Sequence, residues 1–289
     1  VDTESVEAFV GKRVHEVIER LNRFVVRGLV PSLAKVMARF RTDWAERFDA
    51  SRVRIVRTEN SAEVYREMGE RCLSNHYRRH YPFDRDETLG IEERVAFSLD
   101  GEHRYRMQGF VDRIARAPDG AVEIHDYKTG RWVPSQETLD GDRQLALYQL
   151  GVTQRHGRDA PVRLVWHYLL RDQVRVSTRT PEQLDSLRTD TIGLIERIEA
   201  EREFAPRPSS LCDWCEFNDI CPGAAARATQ GPRTPSRPPA PRPQAAAALA
   251  PRAVEPRPTG GAAAGPGARP AGAVEPGSCP AGQLALFRA

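Results

Sequence analysis

Residues 109–128 read Gly109-Phe110-Val111-Asp112-Arg113-Ile114-Ala115-Arg116-Ala117-Pro118-Asp119-Gly120-Ala121-Val122-Glu123-Ile124-His125-Asp126-Tyr127-Lys128. The Pro118-Asp119-Gly120 turn separates two stretches of strand composition, Tyr105 to Ile114 and Val122 to Tyr127. Asp112 and Asp126 stand 14 residues apart, each near the end of its strand. In adjacent antiparallel strands that separation brings two carboxylates to one edge of a sheet. Asp126 and Lys128 are two apart and share a face of their strand.

Working outward, Val95, Phe97 and Leu99 alternate with polar residues ahead of an Asp100-Gly101 turn, which adds a strand and predicts a three-stranded meander. Further upstream, Phe9, Val10, Val14, Val17, Ile18, Leu21 and Phe24 fall at the three-four spacing of an amphipathic helix over 6–26. A second helix begins near Pro31, and a third runs from about Ser61 to Tyr77. Downstream, helical spacing returns over 142–154. Arg163 to Leu170 and Val174 to Thr178 form a hairpin around Arg171-Asp172, and Pro181 opens a last long helix. The order predicts an α/β fold: a mixed, mainly antiparallel central sheet flanked by helices.

After Cys221 the composition changes. Fourteen of the 22 prolines lie there, among Ala-rich and Gly-rich runs with almost no large apolar side chains before the last few residues. Burial there cannot offset the entropy of ordering the chain. The expectation is a domain over 1–222 followed by a disordered Pro/Ala/Gly/Arg-rich tail over 223–289. The tail carries eight Arg against two Glu, so the remainder has a formal charge of −3 although the whole chain has +3. Bulk charge therefore does not announce nucleic-acid binding. The basic tail serves either nonspecific attraction to phosphates or solubility. There is no run of 18 apolar residues and no signal-peptide pattern, which predicts a cytoplasmic protein without a membrane partner. The chain opens on Val1 rather than Met, which leads us to expect that it begins inside a longer one.

Paired carboxylates are what a hard divalent cation needs, since oxygen ligands neutralise charge and leave positions for water and a substrate phosphate. The chain holds 40 Arg and three Lys: Lys12, Lys35 and Lys128. A Lys beside the second acid, where Arg would be the default cation, suits a compact charge whose pKa neighbours can lower. The competing reading of Asp-x-Lys is a surface ion pair at a strand end; the upstream Gly-x-x-Asp favours catalysis.

The set His15, Asp112, Asp126-x-Lys128 and Gln144-x-x-x-Tyr148 resembles the RecB-like exonuclease branch of the PD-(D/E)XK nuclease superfamily, over about 6–222. The resemblance implies a restriction-endonuclease-like fold and a metal-dependent deoxyribonuclease, an exonuclease or single-strand nuclease acting on DNA in recombination or repair. It implies Mg2+ or Mn2+ held by His15, Asp112, Asp126 and the Tyr127 carbonyl, with Lys128 positioning or activating the attacking water. Gln144 and Tyr148, one turn apart on a helix, would point together toward the site and the DNA backbone; Tyr148 as plain core packing is an equal competitor. Glu92 or Glu93, opening the first strand, is a further candidate acid. One or two ions could serve. A catalytically silent DNA-binding scaffold of a helicase-nuclease complex is the alternative, against which the intact Asp112, Asp126 and Lys128 argue. No Walker motif is present, so a helicase would be a separate subunit or an upstream segment.

Cys212-x-x-Cys215 followed by Cys221-Pro222 is a metal-ligand arrangement. Zinc accepts such thiolates; the resemblance implies a [4Fe-4S] cluster whose fourth ligand is an N-terminal Cys. No Cys precedes His15 here, so the fourth ligand is expected on an upstream segment. Cys72, mid-helix, reads as a buried small residue, and Cys279 falls in the tail. Finally, Gln283-Leu284-Ala285-Leu286-Phe287 resembles the peptide by which bacterial replication and repair proteins bind the sliding clamp.

Overall fold

In the computed structural model the described residues are 3–156, 160–215, 217–218 and 220–223. The 6–26 stripe forms α1 (Val6–Val26), with Ser5 capping its start by accepting from the Ala8 N–H and Gly28 in the left-handed region just past its end. With α2 (Leu33–Arg47) and α3 (Ala62–His80) it makes one helical layer. The predicted α1 residues Val10, Val14 and Ile18 are fully buried there against Phe40, Trp44, Tyr65 and Leu73. Two short strands, β1 (Glu4–Ser5) and β2 (Val53–Arg54), pair in parallel beside the start of α1.

The central sheet has five strands in sequence order: β3 (Glu87–Ser98), β4 (Arg106–Arg116), β5 (Val122–Lys128), β6 (Val162–Tyr168) and β7 (Gln173–Ser177). All neighbours are antiparallel except β5 and β6. A parallel pair needs a crossover, supplied by α4 (Gln136–Asp140) and α5 (Gln144–His156). With α6 (Pro181–Ala200), which a Thr180/Gln183 capping box opens, α5 covers the face opposite the first helical layer. The result is helices, sheet, helices, as expected.

One feature differs from the sequence reading. Strand β3 starts at Glu87, eight residues before the alternation becomes visible at Val95. A register shift between Thr88 and Gly90, and a left-handed φ of 48° at Glu92, break the two-residue period there. The 3-10 turn Leu169–Arg171 and left-handed Asp172 then connect β6 to β7. No helix among the described residues is long and apolar enough to cross a membrane.

The α5 helix sits close on the sheet because Gly151 has no side chain: a Cβ there would lie 2.2 Å from Val95 Cγ1 and 2.7 Å from Phe97 Cδ1. Both neighbours are buried. Gly151→Val is therefore expected to cost about 1–3 kcal/mol by overpacking, read as a drop in melting temperature of roughly 2–12 °C for a chain of this size. An unchanged melting temperature would mean that α5 is less tightly seated.

Candidate active site where two strands part

The β4–β5 ladder ends at the pair Arg113↔His125. One step further sets Asp112 opposite Asp126, and there the strands separate. Tyr127 turns both backbone groups into the gap. Its N–H donates to Asp112 Oδ2 at 2.8 Å, and its carbonyl accepts from His15 Nε2 at 2.6 Å. His15 reaches in from the middle of α1, with Nδ1 3.4 Å from Asp112 Oδ1. On the other side, continuing the β3–β4 register sets Glu92 opposite Asp112. One ligating atom each from His15, Glu92 and Asp112 lies within 4.8 Å of the others.

A second string of side chains adjoins the first. Lys128 Nζ donates to Asp126 Oδ1 at 3.1 Å and to Gln144 Oε1 at 3.3 Å, and Gln144 Nε2 donates to the Tyr148 hydroxyl at 3.4 Å. Gln144 and Tyr148 occupy the first turns of α5, so the crossover helix carries its polar groups directly back to the end of β5. The Tyr148 ring fits because residue 109 is glycine: a Cβ there would lie 2.4 Å from Tyr148 Cε1. Tyr148 is thus packed in the core, 5 % exposed, and also bonded to the group that touches Lys128. The glycine of Gly-x-x-Asp is explained by close approach rather than by a turn.

Burial and the neighbouring Asp112 charge push the Asp126 carboxyl above its ordinary range, against the pull of Lys128 and His15. Burial acts against the Lys128 ammonium, but Asp126, Asp112 and Asp142 outweigh it and hold its pKa above the usual lysine value. The sequence allowed for neighbours that lower it; the neighbouring acids raise it instead and favour the charged ammonium. Burial likewise opposes charge on His15, yet the Asp112 and Asp126 charges and the Tyr127 carbonyl raise it to about 9.

The donor set fits a hard divalent cation. It offers carboxylates, one backbone carbonyl and one imidazole around a negative centre. Asp126 Oδ2 is buried and accepts no hydrogen bond of good geometry, although Lys128 Nζ is 3.0 Å away, so a lone pair remains for an ion or its water. Glu92 is the member that sequence reasoning left undecided. Glu93 points elsewhere, to Arg155 at 2.9 Å. The signal that separates the two is cross-strand register with Asp112, which the irregular start of β3 conceals.

Behind Tyr127, on the face toward α3, lies a layer of buried imidazoles. His125 Nδ1 and His167 Nε2 share a hydrogen bond at 2.9 Å, and the Tyr127 ring centroid is 5.1 Å from both the His76 and the His167 rings. Asp86, Glu123 and His125 also converge within 4.8 Å. Arg113 pairs with Asp86 and Arg163 with Glu123, which balances that cluster without an ion.

Cys212, Cys215 and Cys221 follow α6 in the chain. Their segment docks on β2, where Arg54 Nη2 donates to the Cys215 carbonyl at 2.9 Å and the Arg57 guanidinium lies 5.9 Å from the Trp214 ring centroid. This sets Cys215 beside β2, which pairs with Glu4–Ser5. Phe217, between two of them, is half exposed. Cys72 is fully buried in α3, its thiol pushed up to about 12 by burial. Cys279 and residues 283–287 lie outside the described residues, as does all of the tail beyond residue 223.

Among solved structures, that of SSO0001 is similar at 17% identity, covering 77% of this chain and 86% of that one, with a TM-score of 0.32. A protein named "Putative exonuclease" from Eubacterium rectale is similar at 13% identity over 77% and 82%, with a TM-score of 0.36. Likenesses this slight say nothing of activity. No curated protein matches the sequence. The family model of the PD-(D/E)XK nuclease superfamily matches residues 2–222. That match takes in every residue of the two strings just described, and the chain belongs to the PD-(D/E)XK nuclease superfamily.

Proposed function

We propose that this chain is a metal-dependent deoxyribonuclease of the RecB-like branch, an exonuclease working in DNA recombination or repair. The observation that supports it most is the meeting of His15, Glu92, Asp112 and the Tyr127 carbonyl beside the Asp126–Lys128 pair. These groups would hold Mg2+ or Mn2+, which when bound polarises a phosphate and acidifies water.

The remaining work falls to the chain's own residues. Lys128 stays protonated and is held by Asp126 and Gln144, so its role is to orient the attacking water and offset the charge that grows on the phosphate. Tyr148 keeps Gln144 facing Lys128. His15 bridges Asp112 and Tyr127 across the gap between the strands.

The same reading assigns residues 1–222 to the nuclease domain and 223–289 to a disordered tail. It assigns Cys212, Cys215 and Cys221 to a [4Fe-4S] cluster, with zinc as the alternative and the fourth ligand upstream. Docking of the cysteine segment on β2 beside residue 4 supports a staple between the two ends of the domain. A helicase subunit, and the sliding clamp bound through residues 283–287, are the proposed protein partners.

Labelled DNA incubated with Mn2+ tests the reading. The parent chain should degrade it, and Asp126→Ala or Lys128→Ala should each slow degradation about a hundredfold or more. Full activity in both variants, or no degradation with any divalent ion, overturns the assignment. A second expectation concerns pH. A proton and a cation compete for the His15 imidazole, so Mn2+ affinity should fall as pH drops from about 9 toward 6. Titration followed by electron paramagnetic resonance reads this directly. His15→Gln should bind Mn2+ more weakly and flatten the dependence; an unaltered slope would remove His15 from the ligand set.

A further inference from the structure

The β3–β4 ribbon has two dissimilar faces. Val95, Phe97, Met107 and Val111 turn into the core under α5, with Gly109 beneath Tyr148. The intervening positions form cross-strand pairs on the opposite face: Arg94 with Phe110, Ala96 with Gln108, and Ser98 with Arg106. In this register the next pair toward β5 is Glu92 with Asp112, two members of the metal-capable group. The strip therefore runs outward from the candidate metal site. Each step of two residues advances it about 6.8 Å.

Its chemistry is one-sided. Beyond the Glu92–Asp112 pair the strip contains two arginines and no acid, in a domain whose formal charge is negative. Phe110 keeps 47 % of its surface exposed, although it lies two residues from Asp112 on a strand whose other large apolar side chains are buried. Arg94 sits directly across from it. Its guanidinium is laid along the ribbon by hydrogen bonds from Nε and Nη2 to Gln108 Oε1 at 3.1 and 2.6 Å. An exposed ring beside fixed cations is what an unpaired strand of nucleic acid requires, since bases stack on the ring and phosphates meet the arginines. A duplex hides those base faces.

We propose that the solvent face of the β3–β4 ribbon is the track along which single-stranded DNA lies as it enters the site, with Phe110 stacking the base next to the scissile phosphate and Arg94 pairing with the adjoining phosphate. The proposal rests on the nuclease reading above. It makes Phe110 and Arg94 positioning residues, expressed in KM more than in kcat.

Binding is measured by fluorescence anisotropy of a labelled oligothymidylate in the Asp126→Ala background, where the probe survives. Adding Phe110→Ala should weaken binding about 5- to 100-fold, while Phe110→Tyr stays near the parent value. Arg94→Ala should also weaken it, and should lower the slope against log salt by about one. In the cleaving protein Phe110→Ala should raise KM with kcat nearly kept, and its melting temperature should match the parent because the ring is half exposed. Replacing the nucleotide beside the cut by an abasic unit should cost the parent what Phe110→Ala costs, and cost Phe110→Ala nothing more.

Equal binding of the oligothymidylate with and without Phe110→Ala, in a protein that cleaves DNA, overturns the track and leaves the nuclease reading intact. A Phe110→Ala loss of the same size on intact and abasic probes overturns the stacking. A parent protein that neither binds nor cuts DNA overturns both readings.

Discussion

A buried backbone N–H must find an acceptor, and at Tyr127 that acceptor is a side chain. Where β4 and β5 separate, the ladder can no longer supply a carbonyl, and Asp112 accepts from the Tyr127 N–H in its place. This one substitution of carboxylate for carbonyl fixes the site. It holds Asp112 at the mouth of the gap and turns the Tyr127 carbonyl toward α1. It also leaves room for His15 to meet both. The first helix is consequently a structural partner of the sheet and the source of an imidazole at its centre.

Charge around the gap is balanced by proximity rather than by exposure. Asp126 is buried with a carboxyl pushed upward, and the only lysine in the vicinity stays protonated against the cost of burial because three aspartates surround it. An arginine in its place would present a planar fork of five donors. The compact ammonium instead shares its protons between Asp126 and Gln144. This gives a physical reason for one of three lysines in an arginine-dominated chain to stand here.

Much of this was legible in the residues. Apolar spacing located α1 to its last residue, and Gly109, Asp112, Asp126 and Lys128 marked the strands that meet at the candidate site. Gln144 and Tyr148 were named only through family resemblance, since helical spacing alone left Tyr148 divided between core and site. In the structure Gly109 receives the ring and the Gln144 amide donates to the hydroxyl. Glu92 could not be told from Glu93, because the positive φ at 92 and the register shift near Thr88 erase the two-residue period there. The parallel pairing of β5 with β6 was equally hidden. It is a property of the crossover, and neither strand's own sequence states it.

The crossover between Lys128 and Gln144 has its two ends tied by the hydrogen bond those residues make. A loop closed at its base can grow cheaply, each doubling of length costing only about 0.6 kcal/mol in closure entropy. Insertions at the exposed residues 130–132, ahead of α4, would thus leave the Asp126, Lys128 and Gln144 side chains where they stand and remodel only what surrounds them. Such a fold has a built-in place for diversification, where the rim of the candidate site can change while its centre stays constant.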